Sequence, residues 1–305
     1  MLKAVIISFL FLGLSISAKG QAENSIPIEF KNSRTYITIQ VGPLRIPNIL
    51  LDTGFAFDGL MLFNPAYRDS LDTGIIRDVQ IGGAGDGEGS NAWMIDSTGF
   101  SAGGINMMNS PVIILQKNTG FSSNGIIGYS IFGHFVTEID YVKNMMILHI
   151  DKLIPDSSWT PIPLYFKNNN IPWLNASVVI KDENPIPVSM YIDYAAGDAI
   201  VLLEKSDMKF SLPEDTTHVL VGKGLSGDIY GKTGTISKII IGPFELNNIK
   251  ATFAVAQTRS KQQNADAILG NGSFSQFNLI FDYAGSMLYL KPNGIAEPFK
   301  INKLE

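Results

Sequence analysis

The sequence predicts an all-β chain made of two related, pseudo-symmetric halves with only short helices. Two internal correspondences and the texture of the apolar segments predict it. In the first correspondence an apolar strand runs into an aspartate, a turn of small residues follows, and a second apolar strand begins. Ile49-Leu50-Leu51-Asp52-Thr53-Gly54 leads to Leu60-Met61-Leu62-Phe63, and Tyr191-Ile192-Asp193-Tyr194-Ala195-Ala196-Gly197 leads to Ile200-Val201-Leu202-Leu203. In the second, Gly125-Ile126-Ile127-Gly128 precedes Ile139-Asp140-Tyr141, as Ala267-Ile268-Leu269-Gly270 precedes Phe281-Asp282-Tyr283. The offset is 141 between the first aspartates (193 − 52) and 142 between the glycines (270 − 128) and between the later aspartates (282 − 140). Agreement to one residue across anchors this far apart marks a two-fold internal repeat.

The elements follow in order. Met1-Leu2-Lys3, the apolar run 4–14 and the small residues through Gly20 have the charge, core and small-x-small order of a secretory signal peptide. Cleavage is expected after Gly20, with Ala22 as the alternative, and the apolar run is too short to span a bilayer as a helix. The chain beyond it divides at residues 154–163, which hold Pro155, Pro161 and Pro163, into an N-terminal lobe 21–155 and a C-terminal lobe 156–305. Segments 35–41, 112–115, 177–180, 238–241 and 249–255 are short, apolar and bounded by Gly, Pro, Asn or Asp, which is the pattern of strands. Short helices are expected only after Gly128 and Gly270, where Phe132 and Phe135, and Phe274 and Phe277, fall at helix-compatible spacing. The glycine-rich stretches 81–89 and 221–228 read as hairpin turns or as mobile flaps over a cleft. They lack the Walker lysine and serine and no helix follows, so they are not phosphate-cradling loops.

Composition narrows the function. The 305 residues carry a net charge of −5 and no basic stripe, so nucleic-acid binding lacks its electrostatic term. There is no cysteine, hence no disulfide and no thiolate metal site. His134, His149 and His218 have no carboxylate or histidine at ligand spacing, so neither a metal nor a cofactor is expected. No Gly-x-Ser-x-Gly elbow supports serine-hydrolase chemistry.

At Leu51-Asp52-Thr53-Gly54 with Ile126-Ile127-Gly128, and at Ile192-Asp193 with Ile268-Leu269-Gly270, the chain resembles the aspartic proteases. It is similar to the retropepsin-like group, arranged as a pepsin-like tandem, over residues 28–291. The resemblance implies a bilobal acid-protease fold of two β-rich lobes with the cleft between them. It implies Asp52 and Asp193 as the catalytic pair, a water as nucleophile, and a peptide or protein substrate. Thr53 and Gly54 then shape the first loop, the family's threonine hydroxyls locking the two loops together. The second loop departs from the family, with Tyr194 for threonine and Ala195 for glycine. Tyr194 is expected to stand in the missing threonine's place and line the cleft. Ala195 is expected to resist the positive backbone angles open to glycine. The second loop is expected to be one residue shorter than the first.

The expected function is an exported aspartic endopeptidase of the periplasm, cell surface or extracellular space. It is expected to be monomeric, without a membrane span once the signal is removed. The alternative is a catalytically impaired peptide-binding protein of the same fold, which the Tyr194-Ala195 departure favours. A two-carboxylate glycosidase shares only the acid pair. Other acids have plainer roles. Asp72-Thr73-Gly74 follows the polar Arg68-Asp69-Ser70 and reads as a surface turn, as does Asp96-Ser97-Thr98-Gly99. Asp58, Asp140 and Asp282 are turn residues. Phe55, Phe57 and Trp93 are expected either along the cleft or in the core.

Overall fold

Among the described residues strands make up 55% and helices 4%, which makes the protein all-β with several sheets. The computed structural model describes residues 24–71, 75–167, 169–181, 184–205, 207, 210–212, 216–255, 264–295 and 300–303. The expected signal segment 1–20 and the triplet Asp72-Thr73-Gly74 lie outside the described residues.

Residues of the first half form a ten-stranded sheet. Its centre is the hairpin Arg34–Val41 and Leu44–Leu51. Gly125–Ile127 lies parallel to the second strand of that hairpin, Ile127 opposite Leu51, and antiparallel to Leu60–Leu62. Leu60–Leu62 runs parallel to Val112–Leu115, which is followed across the sheet by Ser90–Ile95 and Ile76–Ile81. The second half repeats that order. The hairpin Pro172–Val179 and Ile186–Asp193 receives Ala267–Gly270 in parallel, Leu269 opposite Ile192. Ile200–Glu204, Phe244–Val255, Gly227–Ile241 and Thr217–Gly224 then follow in turn.

The burial pattern explains the register. Leu60–Leu62, Val112–Leu115 and Ala267–Gly270 are buried at every position, as strands covered on both faces must be. Alternation then distributes side chains between two layers. Ile49 and Leu51 enter the large central core, whereas Leu50 joins Tyr36, Met61, Phe63 and Ile126 on the other face. In the second half Ile192 enters the central core, and Tyr191 joins Trp173, Val201 and Ile268 opposite. Each large apolar side chain so enclosed contributes roughly 1.5–3 kcal/mol.

A third sheet has six strands drawn from both halves. Val136–Asp140 pairs antiparallel with Phe277–Asp282, Glu138 opposite Ile280. Met145–His149 and Met287–Pro292 flank them, and Ser25–Pro27 and Thr160–Pro163 form the edges. The proline-bearing segment 154–163 is therefore not only a connection. Its end is an edge strand, where Pro161 and Pro163 need not supply a ladder N–H.

The helices are shorter than the phenylalanine spacing predicts. Tyr129–Phe132 is one turn, and Asn271–Ser273 is a single 3-10 turn. Phe135 lies beyond the first, and Phe277 already begins a strand. Both chains must enter the shared sheet within a few residues, which leaves no room for a second turn. A one-turn helix at Tyr67–Ser70 carries no apolar signal and was not expected.

Candidate functional site

The two aspartate loops are assembled by the strands that follow them much later in sequence. Asp52 N–H donates to Ile127 O at 2.9 Å, and Tyr129 N–H donates to Phe55 O at 3.1 Å. In the second loop Ala196 N–H donates to Asp193 O at 3.1 Å, and Asn271 N–H to Ala196 O at 2.8 Å. The glycines of the two Ile-Ile/Leu-Gly anchors permit this crossing. A Cβ on Gly128 would overlap the carbonyls of Asp52 and Phe55, and one on Gly270 that of Asp198. From Asp52 to Leu60, which faces Ile127, the loop spans 8 residues (60 − 52). From Asp193 to Ile200, which faces Leu269, it spans 7 (200 − 193), so the second loop is the shorter by one.

This packing brings the two acids together. A Cβ placed on Gly54 would lie 3.0 Å from Asp52 Oδ1 and 3.7 Å from Asp193 Oδ1. The two oxygens are therefore at most 6.7 Å apart, the sum of those distances. Backbone amides hold each carboxylate from below. Gly54 N–H donates to Asp52 Oδ1 at 2.8 Å, while Ala195 and Ala196 N–H donate to Asp193 Oδ1 at 3.1 and 3.0 Å.

Thr53 ties the loops to each other. Its hydroxyl, buried, donates to Ile192 O at 2.7 Å and accepts from Tyr194 N–H at 3.0 Å. The reciprocal grip is absent. Tyr194 neither replaces a threonine hydroxyl nor lines the cleft; it is fully buried in the central core, and the expectation is corrected. Its ring packs edge-on against Phe132 and Phe281. A tyrosine side chain is too long to end at the neighbouring loop, so its hydroxyl passes it and reaches a buried polar cluster. There Tyr194 hydrogen-bonds the Tyr141 hydroxyl and accepts from Thr35 Oγ1, while Tyr141 donates to Asn271 Oδ1 at 2.7 Å. Asn271 Nδ2 donates to Thr35 Oγ1 at 2.9 Å, so two residues from each half close the network. Burial pushes the Tyr141 phenol up to about 12 and Tyr194 well above its ordinary value, so both remain neutral donors. Burial, then the negative charge of Asp52, likewise raises Tyr283.

Ala195 also needs correction. Neither Gly54 nor Ala195 has a positive φ, so alanine fits the second loop without backbone strain. Gly54 is required for a different reason, the closeness of both carboxylates.

Asp52 and Asp193 open into a cavity of about 840 Å³. Its walls include Arg34, Tyr36, Phe55 and Asp198. The tips of the two glycine-rich hairpins line the same cavity and touch each other. Ser226 N–H donates to Ala84 O at 2.9 Å, Gly87 N–H to Ser226 O at 2.7 Å, and Ser90 Oγ to Leu225 O at 3.0 Å. Of the aromatic candidates Phe55 lines the cavity, Phe57 packs beside it at 5.9 Å, and Trp93 is half-buried under Arg68.

The remaining acids sit apart. Asp58 accepts from Ser130 Oγ and pairs with His134, each at 2.8 Å, so it braces the turn after Gly128 rather than standing free in solvent. His149 pairs with Glu138 across two strands, and His218 stacks on Tyr230. These pairings are tertiary, which sequence spacing does not register. No three potential metal ligands cluster among the described residues. Asp140 and Asp282 cap the turns that follow them, bonding the N–H groups of Lys143 and Gly285, and Ser97 and Gly99 adopt positive φ in their turn. Sequence reasoning missed Arg34, Thr35 and Asn271. The available signal was the position of polar residues within apolar segments, Arg34-Thr35 opening one strand and Asn271 following Gly270. No protein-family model and no curated protein matches this chain.

Proposed function

We propose that the protein is an exported aspartic endopeptidase, its halves 21–155 and 156–305 forming two pseudo-symmetric lobes of the acid-protease kind. The observation that carries this is the convergence of Asp52 and Asp193 on one cavity from equivalent loops of two equally ordered sheets. The reaction needs one carboxyl ionised and the other protonated, the roles this reading gives the pair. The ionised member takes a proton from a water held between them, and the water oxygen attacks the scissile carbonyl carbon. The protonated member donates to the carbonyl oxygen as it becomes a hydroxyl. As that tetrahedral diol collapses and the C–N bond breaks, one diol hydroxyl returns its proton to the carboxylate that donated, and the other acid passes the proton it took from water to the leaving nitrogen, which restores the pair. The chemistry requires no metal or cofactor. The joined hairpin tips supply a roof that must part for an extended chain to enter.

Thr53 supports the reading, since it fixes the relative position of the loops on which the geometry depends. Export rests on the sequence of residues 1–20, and no described helix is long and apolar enough to cross a membrane. Mass spectrometry of the N-terminus from a secreting host tests export, and an intact Met1 on soluble cytoplasmic protein refutes it. A second reading, a peptide-binding protein without turnover, draws on one observation: the reciprocal threonine grip is missing at Tyr194. Cleavage of unfolded casein between about pH 3 and 7, with and without a statine transition-state mimic, decides between them. Statine-sensitive cleavage establishes the peptidase; peptide binding without cleavage establishes the alternative.

A further inference from the structure

Among the described residues, Arg34 and Lys223 are the cations in the cavity wall. Lys223 sits at a hairpin tip and donates to Thr119 O at 2.8 Å. Arg34 sits at the aspartate loops. It directly follows the tight turn Asn32-Ser33, both residues at positive φ, which joins Glu29–Lys31 to Arg34–Val41. From there its Nε donates to Ala195 O at 3.0 Å, and one terminal nitrogen to Asn32 O at 3.4 Å. A Cβ on Gly197 would lie 3.0 Å from that same nitrogen, so the guanidinium lies flat against the second loop. No described carboxylate forms a salt bridge with it. A half-buried guanidinium held by neutral carbonyls keeps its charge and further N–H donors at the cavity wall, in a fork that matches a carboxylate.

We propose that Arg34 is a specificity determinant of this cleft and selects peptides that carry aspartate or glutamate near the scissile bond. The reach follows from the bonds. Arg34 Nε is 3.0 Å from Ala195 O and Asp193 Oδ1 is 3.1 Å from Ala195 N, so Nε and Oδ1 are within about 10 Å, roughly three residues of extended chain. The acidic side chain therefore lies within three residues of the cleaved bond, on the side that contacts the second loop. The inference rests on the peptidase reading for its substrate class.

The test uses the full chain and pairs of fluorogenic peptides that differ only by glutamate or glutamine at each of three positions on either side of one bond. Binding of the same pairs with a reduced, uncleavable bond is measured by fluorescence anisotropy. One position is expected to prefer glutamate by about tenfold or more in kcat/KM and in Kd. Arg34→Gln is expected to bring both ratios to within about twofold. Loss of the Nε tether alone lowers turnover of both peptides equally, so the ratio isolates the charge. Arg34→Lys retains a cation and is expected to keep a glutamate preference, which serves if the glutamine variant does not fold. Cleavage by the wild type without any glutamate preference overturns the inference and leaves the peptidase standing. A glutamate preference in binding that depends on Arg34, without cleavage, supports the inference and overturns the peptidase. An unchanged preference in folded Arg34→Gln assigns it to another residue and overturns the inference.

Discussion

Thr53→Val keeps the size and branching of the side chain and removes only its hydroxyl. Thr53 is 2% exposed, and its hydroxyl joins the two aspartate loops through bonds of 2.7 Å to Ile192 O and 3.0 Å from Tyr194 N. Each buried backbone group left without its partner costs about 1–3 kcal/mol, so the pair amounts to about 2–6 kcal/mol. In a chain of this size that is a fall in Tm of roughly 4–12 °C. Thr53→Ser is the control, because it keeps both bonds and deletes one buried methyl at about 1 kcal/mol. Thermal and urea unfolding of wild type, Thr53→Val and Thr53→Ser measure the difference. In the peptidase assay the valine variant is expected to lose kcat far more than it raises KM, since the loss falls on the alignment of the carboxylates. Equal stability of the valine and serine variants would refute the reasoning, because the hydroxyl would then hold nothing.

Asp52→Asn and Asp193→Asn are each expected to lower peptide cleavage by at least about a hundredfold with the fold intact by circular dichroism, whereas Asp72→Asn stays within about twofold. Residual turnover above a tenth in either dyad variant would remove that acid from the mechanism. Tyr194→Phe is expected to cost about 1–3 kcal/mol through the Tyr141–Thr35–Asn271 network while peptide selectivity is unchanged; altered selectivity would place residue 194 at the substrate after all. Tyr194-Ala195→Thr-Gly, which copies the spelling of the first loop, is expected to destabilise by about 3–5 kcal/mol because it empties a buried aromatic site, seen as a lowered urea midpoint. Asp140 gives a pH dependence. Burial favours its neutral form, but the hydrogen bonds and charge of Lys143 outweigh this and hold Asp140 below the usual carboxylate range. A depressed folded value means the stabilisation is present above the ordinary aspartate value near 3.9 and is lost as pH falls through the folded one. Unfolding of wild type and Asp140→Asn should therefore converge as pH falls below about 4; a constant gap would refute the pairing.

The strands were legible where one face or both were apolar. Leu60–Leu62, Val112–Leu115 and Ala267–Gly270 announce themselves as unbroken apolar runs because they are covered on both sides. The long hairpin Gly227–Ile241 and Phe244–Val255 was legible only in part, since Lys232, Thr233, Asn247 and Asn248, none of them buried, interrupt its apolar pattern. The short helices after Gly128 and Gly270 were legible in place but not in length, because a helix-compatible spacing of two residues does not fix where a helix ends.

Sequence by itself determined the repeat, the all-β class and the two aspartates, because each is a local pattern of burial or its recurrence at a fixed offset. Only the tertiary structure decided where Tyr194 points. Its spelling, beside Asp193, places it in the loop, but the direction of a side chain depends on which space is open. The far side of the loop offers buried partners on Thr35 and Tyr141, more than 50 residues away in sequence (194 − 141 = 53). The grip of Thr53, the brace of Asp58 on Ser130 and His134, and the seat of Arg34 against Ala195 were decided in the same way. Each is a bond between residues far apart in the chain, and such bonds are fixed by the packing of the sheets rather than by neighbours in sequence.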